Sequence, residues 1–204
     1  MRILITGFEP FGESTVNPSE RLVHAIAGRE FPGVELSTHI LPVDTLRAPQ
    51  ELLAALDETQ PGAVICLGEA ARRARISIER VAVNLLDFAI PDNSGQKLQD
   101  LPVVPGGPDA YFSTLPVRRL HGALHEAGIP AELSLTAGAY LCNQVMYTLL
   151  HALHSQGQAH IPAGFIHLPL LPEQAAVFPG LPAASMSVDT SAQAMEVILR
   201  EIAG

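Results

Sequence analysis

Strand-like apolar runs recur along this chain at about residues 2–7, 34–42, 63–67, 77–84, 131–136 and 163–168, with helical patterns between several of them. Asn17-Pro18-Ser19-Glu20 reads as a helix start, with a cap, a proline in the first turn and a glutamate three residues after the cap. Helical spacing follows over Arg21–Glu30, and again over Pro49–Glu58, Val117–Ala127 (stopped by Gly128) and Asn143–His154. A last helix is expected over about Ser191–Ile202, capped by Asp189 or Thr190. Alternating strands and helices restrict the chain to the α/β class. The expected architecture is a three-layer α/β/α sandwich around a mostly parallel, mixed and twisted sheet. No internal repeat is present.

A chain of 204 residues suits a single domain spanning 1–204, long enough to bury a sizeable core. With 48% hydrophobic and only 16% charged residues, it is globular rather than disordered. A formal net charge of −9 argues against nucleic acid and anionic membrane as partners, since both demand clustered Lys and Arg. The one basic run is Arg72-Arg73-Ala74-Arg75. No apolar stretch reaches membrane-spanning length, and the N-terminus runs straight into a strand without a signal-peptide pattern. Two cysteines, Cys66 and Cys142, do not make a disulfide framework, so a reducing cytoplasm is the expected location.

The two cysteines read differently. Cys66, in Val64-Ile65-Cys66-Leu67-Gly68, has the setting of a small buried core residue. Cys142 follows the strand-like run Ala131–Leu141 and opens the helical one. At such a junction, unpaired amides and the positive end of the helix dipole favour a thiolate. The next strand carries His167. Two strands joined by one helix normally run parallel and end on the same sheet edge, which would bring Cys142 and His167 together. That pairing suits a nucleophile and its base. The helical histidines His121, His125, His151 and His154 read as ordinary surface residues, and none has zinc-site spacing, so neither metal nor other cofactor is expected.

A third group commonly orients such an imidazole. Glu69, Glu79 and Asp87 are the candidates. Glu79 stands out within Ile76–Asn84, where a carboxylate among apolar residues needs a partner. An ion pair with Arg80 or Arg73 is the structural alternative. The loop Gly7-Phe8-Glu9-Pro10-Phe11-Gly12 lacks the glycine spacing of a dinucleotide site and offers two flat apolar walls instead. Residues 85–116 have little periodicity; a lid over the active-site edge and a plain surface excursion are both open readings.

Five segments in order resemble the type I pyroglutamyl peptidases (pyrrolidone-carboxylate peptidases) over essentially the whole chain. They are Leu4–Gly12 with Asn17-Pro18, Ile78–Asn84, Ile90–Asn93, Ala137–Asn143 and Phe165–Pro169. The resemblance implies a cysteine exopeptidase that releases pyroglutamate from peptide N-termini. Cys142 would be its nucleophile, His167 its base and Glu79 the orienting carboxylate. It also implies that Phe8 and Phe11 flank the 5-oxoproline ring and that backbone groups near Glu69 and Ile90 bond the lactam. Leu141 would help wall the pocket, and Asn17 would support the loop. A homotetramer is implied as well. One departure is Gly68-Glu69-Ala70-Ala71-Arg72-Arg73-Ala74-Arg75, where the family usually carries a glycine-rich stretch, and it bears on the lactam contacts near Glu69.

Two other functions fit a phosphorylase- or hydrolase-like α/β sandwich. A nucleoside phosphorylase-like transferase would need a phosphate cradle, for which Gly7–Gly12 is poor. A non-catalytic small-ligand binder would keep the Phe8/Phe11 pocket but has no reason to place Cys142 opposite His167. Fold alone separates none of these; the site residues do.

Overall fold

A two-residue period in the strands sorts their side chains onto the two faces of one sheet. The computed structural model describes residues 1–177 and 183–204. In chain order the elements are β1 (Arg2–Phe8), α1 (Pro18–Ile26), β2 (Glu35–Leu41), α2 (Arg47–Thr59), β3 (Ala63–Glu69), β4 (Ile76–Glu79) and β5 (Val81–Val83). Then come β6 (Ala110–Phe112), α3 (Val117–Glu126), β7 (Ala131–Ser134), α4 (Leu141–Ser155), β8 (Ala163–Leu168), α5 (Pro172–Val177) and α6 (Val188–Ala203). The main sheet runs β2-β1-β3-β8-β4-β7, parallel throughout except between β8 and β4. This is the expected mostly parallel, mixed sheet, with helices on both faces.

One face packs Ile3, Ile5, Ile65, Ile78 and Ile166 against apolar residues of α1, α3 and α6. The other packs Leu4, Val64, Cys66 and Phe165 against α2 and α4. Both faces of β3 and β8 are covered, which is why these strands are continuous apolar runs rather than alternating ones. By the same period Gly68, Glu79 and His167 share the α4 face with Cys66 and Phe165.

Four expectations are corrected. β7 and β8 are not parallel neighbours: β4 lies between them, parallel to β7 and antiparallel to β8. The run at 77–84 is two strands, because the chain leaves the sheet after Glu79. Arg80 N–H still bonds Ser134 O (2.9 Å), but β5 pairs with β6, and Asn143 grips Val83 through two bonds of 2.9 Å. The strand at 131–136 ends at Ser134, and α4 begins at Leu141, so Cys142 lies inside the first turn. Finally, α6 is capped by Ser187, whose hydroxyl accepts from Thr190 N–H (3.1 Å), not by Asp189 or Thr190. Asn17 caps α1 as expected, accepting from Ser19 N–H (2.9 Å).

Residues 85–116 form a tied strap rather than a featureless excursion. Phe88 N–H bonds Leu98 O (2.7 Å), Asp87 N–H bonds Ala139 O (2.9 Å) and Asn93 N–H bonds Val43 O (2.8 Å). Buried Asp92 accepts from Thr45, Ser94 and Gln96 N–H groups, which hold its carboxyl below the usual range against the opposing effect of burial. The strap ends in β6, an element with no clear pattern in the sequence. No described helix is long and apolar enough to cross a membrane.

Candidate active site

Glu79 and His167 meet on the α4 face, near the C-terminal end of β8, and Cys142 lines the same cavity as His167. His167 pairs in register with Gly68 on β3 and with Ser77 on β4, so Glu79 lies diagonally across the β4–β8 ladder on the same face. The outcome is a buried hydrogen bond of 2.8 Å between Glu79 Oε1 and His167 Nδ1. An ionised carboxylate only accepts, so Nδ1 carries the proton and Nε2 keeps its lone pair. Glu79 is fully buried and His167 is 4% exposed. The alternative partner is present too: Arg73 Nη1 donates to the same Oε1 at 2.5 Å. Glu79 therefore serves both imidazole and guanidinium, while its Oε2 has no partner among the described residues.

Cys142 arrives by a different path from the expected one. Since β7 and β8 are antiparallel, their ends do not share an edge, and the stretch 135–140 carries the chain from β7 to the start of α4. There the thiol lies over Gly68, close enough that a Cβ at Gly68 would sit 2.8 Å from Sγ and 2.7 Å from Phe165 Cζ. Only glycine fits. The helix start is bare. Tyr140 supplies no side-chain cap, and the first backbone bond is Gln144 N–H to Tyr140 O (3.0 Å). The N–H groups of Leu141, Cys142 and Asn143 thus have no acceptor among the described residues, which makes this helix start a ready place for an oxygen anion.

The resting charge state differs from the expected thiolate. Burial pushes the Cys142 thiol up to about 12, helped by the Glu79 and Glu69 carboxylates and opposed by Arg73. One edge of the residue opens to the cavity, but protein crowds the remaining sides. Burial also holds His167 below its ordinary value, against the raising effect of Glu79. The pair at rest is a neutral thiol beside a neutral imidazole.

Cys142 and His167 line one cavity of about 140 Å³. Phe8, Phe11, Leu141 and Asn17 line it as well, together with Glu69. Val43, Ala137 and Tyr140 complete it. Tyr140 lay within a quoted motif without being singled out; Val43 gave no signal. Tyr140 is placed by an edge-on Phe88 ring (centroids 4.6 Å apart) and by its hydroxyl donating to Pro91 O (3.0 Å). Ile90 is outside the lining and 44% exposed. Asn17 is a brace: Nδ2 donates to Glu9 O (3.0 Å) and Oδ1 accepts from Ser19 Oγ (2.8 Å), which in turn receives Phe8 N–H (2.9 Å).

Glu69 Oε2 accepts from Gln174 Nε2 (2.8 Å) on α5, and burial pushes its carboxyl above the usual range. A larger hollow of about 220 Å³ lies among Arg2, Asp57, Gln60 and Gln158, but neither cysteine nor histidine lines it. Among the described residues no group of three or more His, Cys, Asp or Glu is placed to hold a metal ion.

The family model for pyroglutamyl peptidase matches residues 1–203. The pyrrolidone-carboxylate peptidase of Gloeobacter violaceus is 49% identical over 200 residues, covering 98% of this chain and 95% of its own. That of Klebsiella pneumoniae is 48% identical over 197 residues, covering 97% and 90%. A mutant pyrrolidone carboxyl peptidase from the hyperthermophile Pyrococcus furiosus superposes with a TM-score of 0.94 at 43% identity, covering 99% of this chain and 98% of its own. Pyroglutamyl peptidase I from Bacillus amyloliquefaciens gives 0.91 at 37% identity, covering 99% and 96%.

Proposed function

The chain belongs to the pyroglutamyl peptidase family, and we propose that Cys142, His167 and Glu79 carry out its reaction in the cavity at the start of α4. It is a cysteine peptidase that hydrolyses the bond after an N-terminal pyroglutamyl residue. The observation that carries the residue assignment is the 2.8 Å bond from His167 Nδ1 to Glu79, which leaves Nε2 for the cavity that Cys142 also lines.

Because thiol and imidazole are both neutral at rest, His167 Nε2 takes the thiol proton as Sγ attacks the pyroglutamyl carbonyl. Charge then appears in two places that suit it. The imidazolium faces the Glu79 carboxylate, and the oxyanion faces the unpaired amides at the start of α4, each such donor typically contributing about 3–4 kcal/mol. His167 returns its proton to the leaving amine, and the C–N bond breaks. Water, activated by the same imidazole, then opens the Cys142 thioester and frees pyroglutamate.

Phe8, Phe11 and Leu141 wall the ring, and Asn17 holds the Phe8–Phe11 loop. Backbone groups near Glu69 and Ile90 bond the lactam; Ile90 directly precedes Pro91, whose carbonyl accepts from the Tyr140 hydroxyl. The whole of 1–204 acts as one peptidase domain without cofactor, working in the cytoplasm as a homotetramer. Both cysteines free, and Phe112 72% exposed opposite Val81 on the β5–β6 ribbon, support those last two readings. Release of chromophore from a pyroglutamyl-amide substrate, abolished by thiol alkylation, tests the assignment; activity untouched by alkylation contradicts it. Sedimentation at micromolar concentration tests the tetramer.

A further inference from the structure

Of the three arginines in Arg72-Arg73-Ala74-Arg75, only Arg73 turns inward. Arg72 and Arg75 are exposed, and neither side chain makes a hydrogen bond or ion pair among the described residues. Arg73 makes two contacts that join separate parts of the site. Nη1 donates to Glu79 Oε1 (2.5 Å), and Nη2 donates to the carbonyl of Thr136 (2.8 Å). Thr136 lies in the stretch 135–140 that brings Cys142 from β7 to α4. One planar guanidinium therefore spans the carboxylate that orients His167 and the segment that delivers the thiol, a task its fixed fork of donors suits.

Glu79 needs such a partner. It is fully buried, Oε2 has no donor among the described residues, and His167 is neutral at rest, which leaves Arg73 as its compensating charge. Arg73 donates to the same oxygen that accepts from His167 Nδ1, so it helps fix the carboxylate that sets the Nδ1–H tautomer.

We propose that Arg73 is a positioning residue of the peptidase reaction: it holds the Glu79 carboxylate toward His167 and holds the segment preceding Cys142 in place against it. The proposal rests on the assignment of Cys142, His167 and Glu79 given above. The ionisable groups around Arg73 and the pair are Glu79 on β4, His167 on β8, Cys142 on α4, and Glu69 and Cys66 on β3. Among them Arg73 acts to lower both the thiol and the imidazole. Its removal thus carries the acidic and basic limbs of the kcat/KM profile toward higher pH.

The test compares Arg73→Met with Arg72→Met, which removes the same charge from the exposed neighbour. With a pyroglutamyl-amide substrate, Arg73→Met lowers kcat roughly ten- to a hundredfold, with KM within about threefold, and moves both limbs upward. Arg72→Met behaves as wild type. Arg73→Lys, which keeps the charge, holds both limbs near their original positions; limbs displaced as far as in the methionine variant contradict the proposal. If Arg73→Met does not fold, Arg73→Gln takes its place with the same upward shift expected.

A lowered unfolding midpoint with unchanged kcat and unmoved limbs reduces Arg73 to a structural ion pair and overturns the proposal. Glu79→Gln separates the two levels of the argument. Wild-type kcat in that variant removes the underlying assignment, whereas an impaired Glu79→Gln beside a normal Arg73→Met removes only the role of Arg73. In the Glu79→Gln background, Arg73→Met costs less than it does in the wild type, because only its path through Thr136 remains.

Discussion

The two faces of the central sheet use the same strands for opposite ends. Toward α1, α3 and α6, the strands β1, β3, β4 and β8 present isoleucine and leucine over their lengths, and the face is sealed. Toward α4, the same strands present Cys66, Gly68, Glu79 and His167 between Val64 and Phe165. The difference lies in alternate residues only: Ile78 and Glu79 are neighbours in sequence, as are Ile166 and His167, yet each pair is split between core and site. A rigid apolar face thereby fixes the backbone to which the proposed reacting groups are attached, so precision at the site would come from packing on its reverse side.

The comparison breaks most visibly at the thiols, which share the α4 face but not a function. Cys142→Ser is expected to lower turnover on the order of a thousandfold or more, because the proposed nucleophile is gone. Cys66→Ala, in the fully buried middle of β3, should leave kcat within about threefold. Steady-state assays of both on one substrate suffice.

Next in size is Glu79→Gln, expected to cost on the order of a hundredfold in kcat with little change in KM, since an amide cannot stabilise an imidazolium. Loss of the unfolding midpoint with normal kcat would instead make Glu79 part of the core. Gly68→Ala places a methyl 2.8 Å from Cys142 Sγ and should lower kcat/KM about tenfold by displacing the thiol.

On the sealed face the expectation reverses. Ile65→Ala should destabilise by about 2–5 kcal/mol while the folded fraction turns over at a near-normal rate. A large kcat loss there, at unchanged stability, would mean the faces are not separable.

The last expected effect is in pH. Cys66 and Cys142 are both raised from 9.0 to about 12 in the folded protein. Above pH 9.0 the unfolded chain releases thiol protons that the native state still holds, so stability is complete below that pH and falls as pH climbs toward 12. Unfolding midpoints across that range should decline less steeply in Cys66→Ala than in wild type.

Much of this division is local and so was legible beforehand. The apolar setting of Glu79 announced a partner, the Asn17 cap announced α1, and His167 stood alone as a polar residue in an apolar strand. That Cys142 and His167 line one cavity is reached by a different route from the expected one. Parallel β7 and β8 would have produced it directly, whereas β4 intervenes and the stretch 135–140 makes the connection. Strand order depends on pairing between distant segments, and no local periodicity encodes it. Arg73 shows the same limit. Three arginines in four positions are alike as sequence, and only the path of the chain from β3 to β4 decides which one meets Glu79. The neutral resting state of the thiol was missed because a helix start alone suggests a thiolate, while the depth of burial and the nearby Glu79 and Glu69 become visible only in the fold.

The account stands or falls on where the pyroglutamyl group is carried. Rapid acid quenching during turnover of a pyroglutamyl ester, followed by proteolysis and mass spectrometry, reads that directly. A pyroglutamyl thioester confined to the peptide containing Cys142, and absent from Cys142→Ser, is the predicted result. An adduct on Cys66, or sustained turnover by Cys142→Ser, would contradict it.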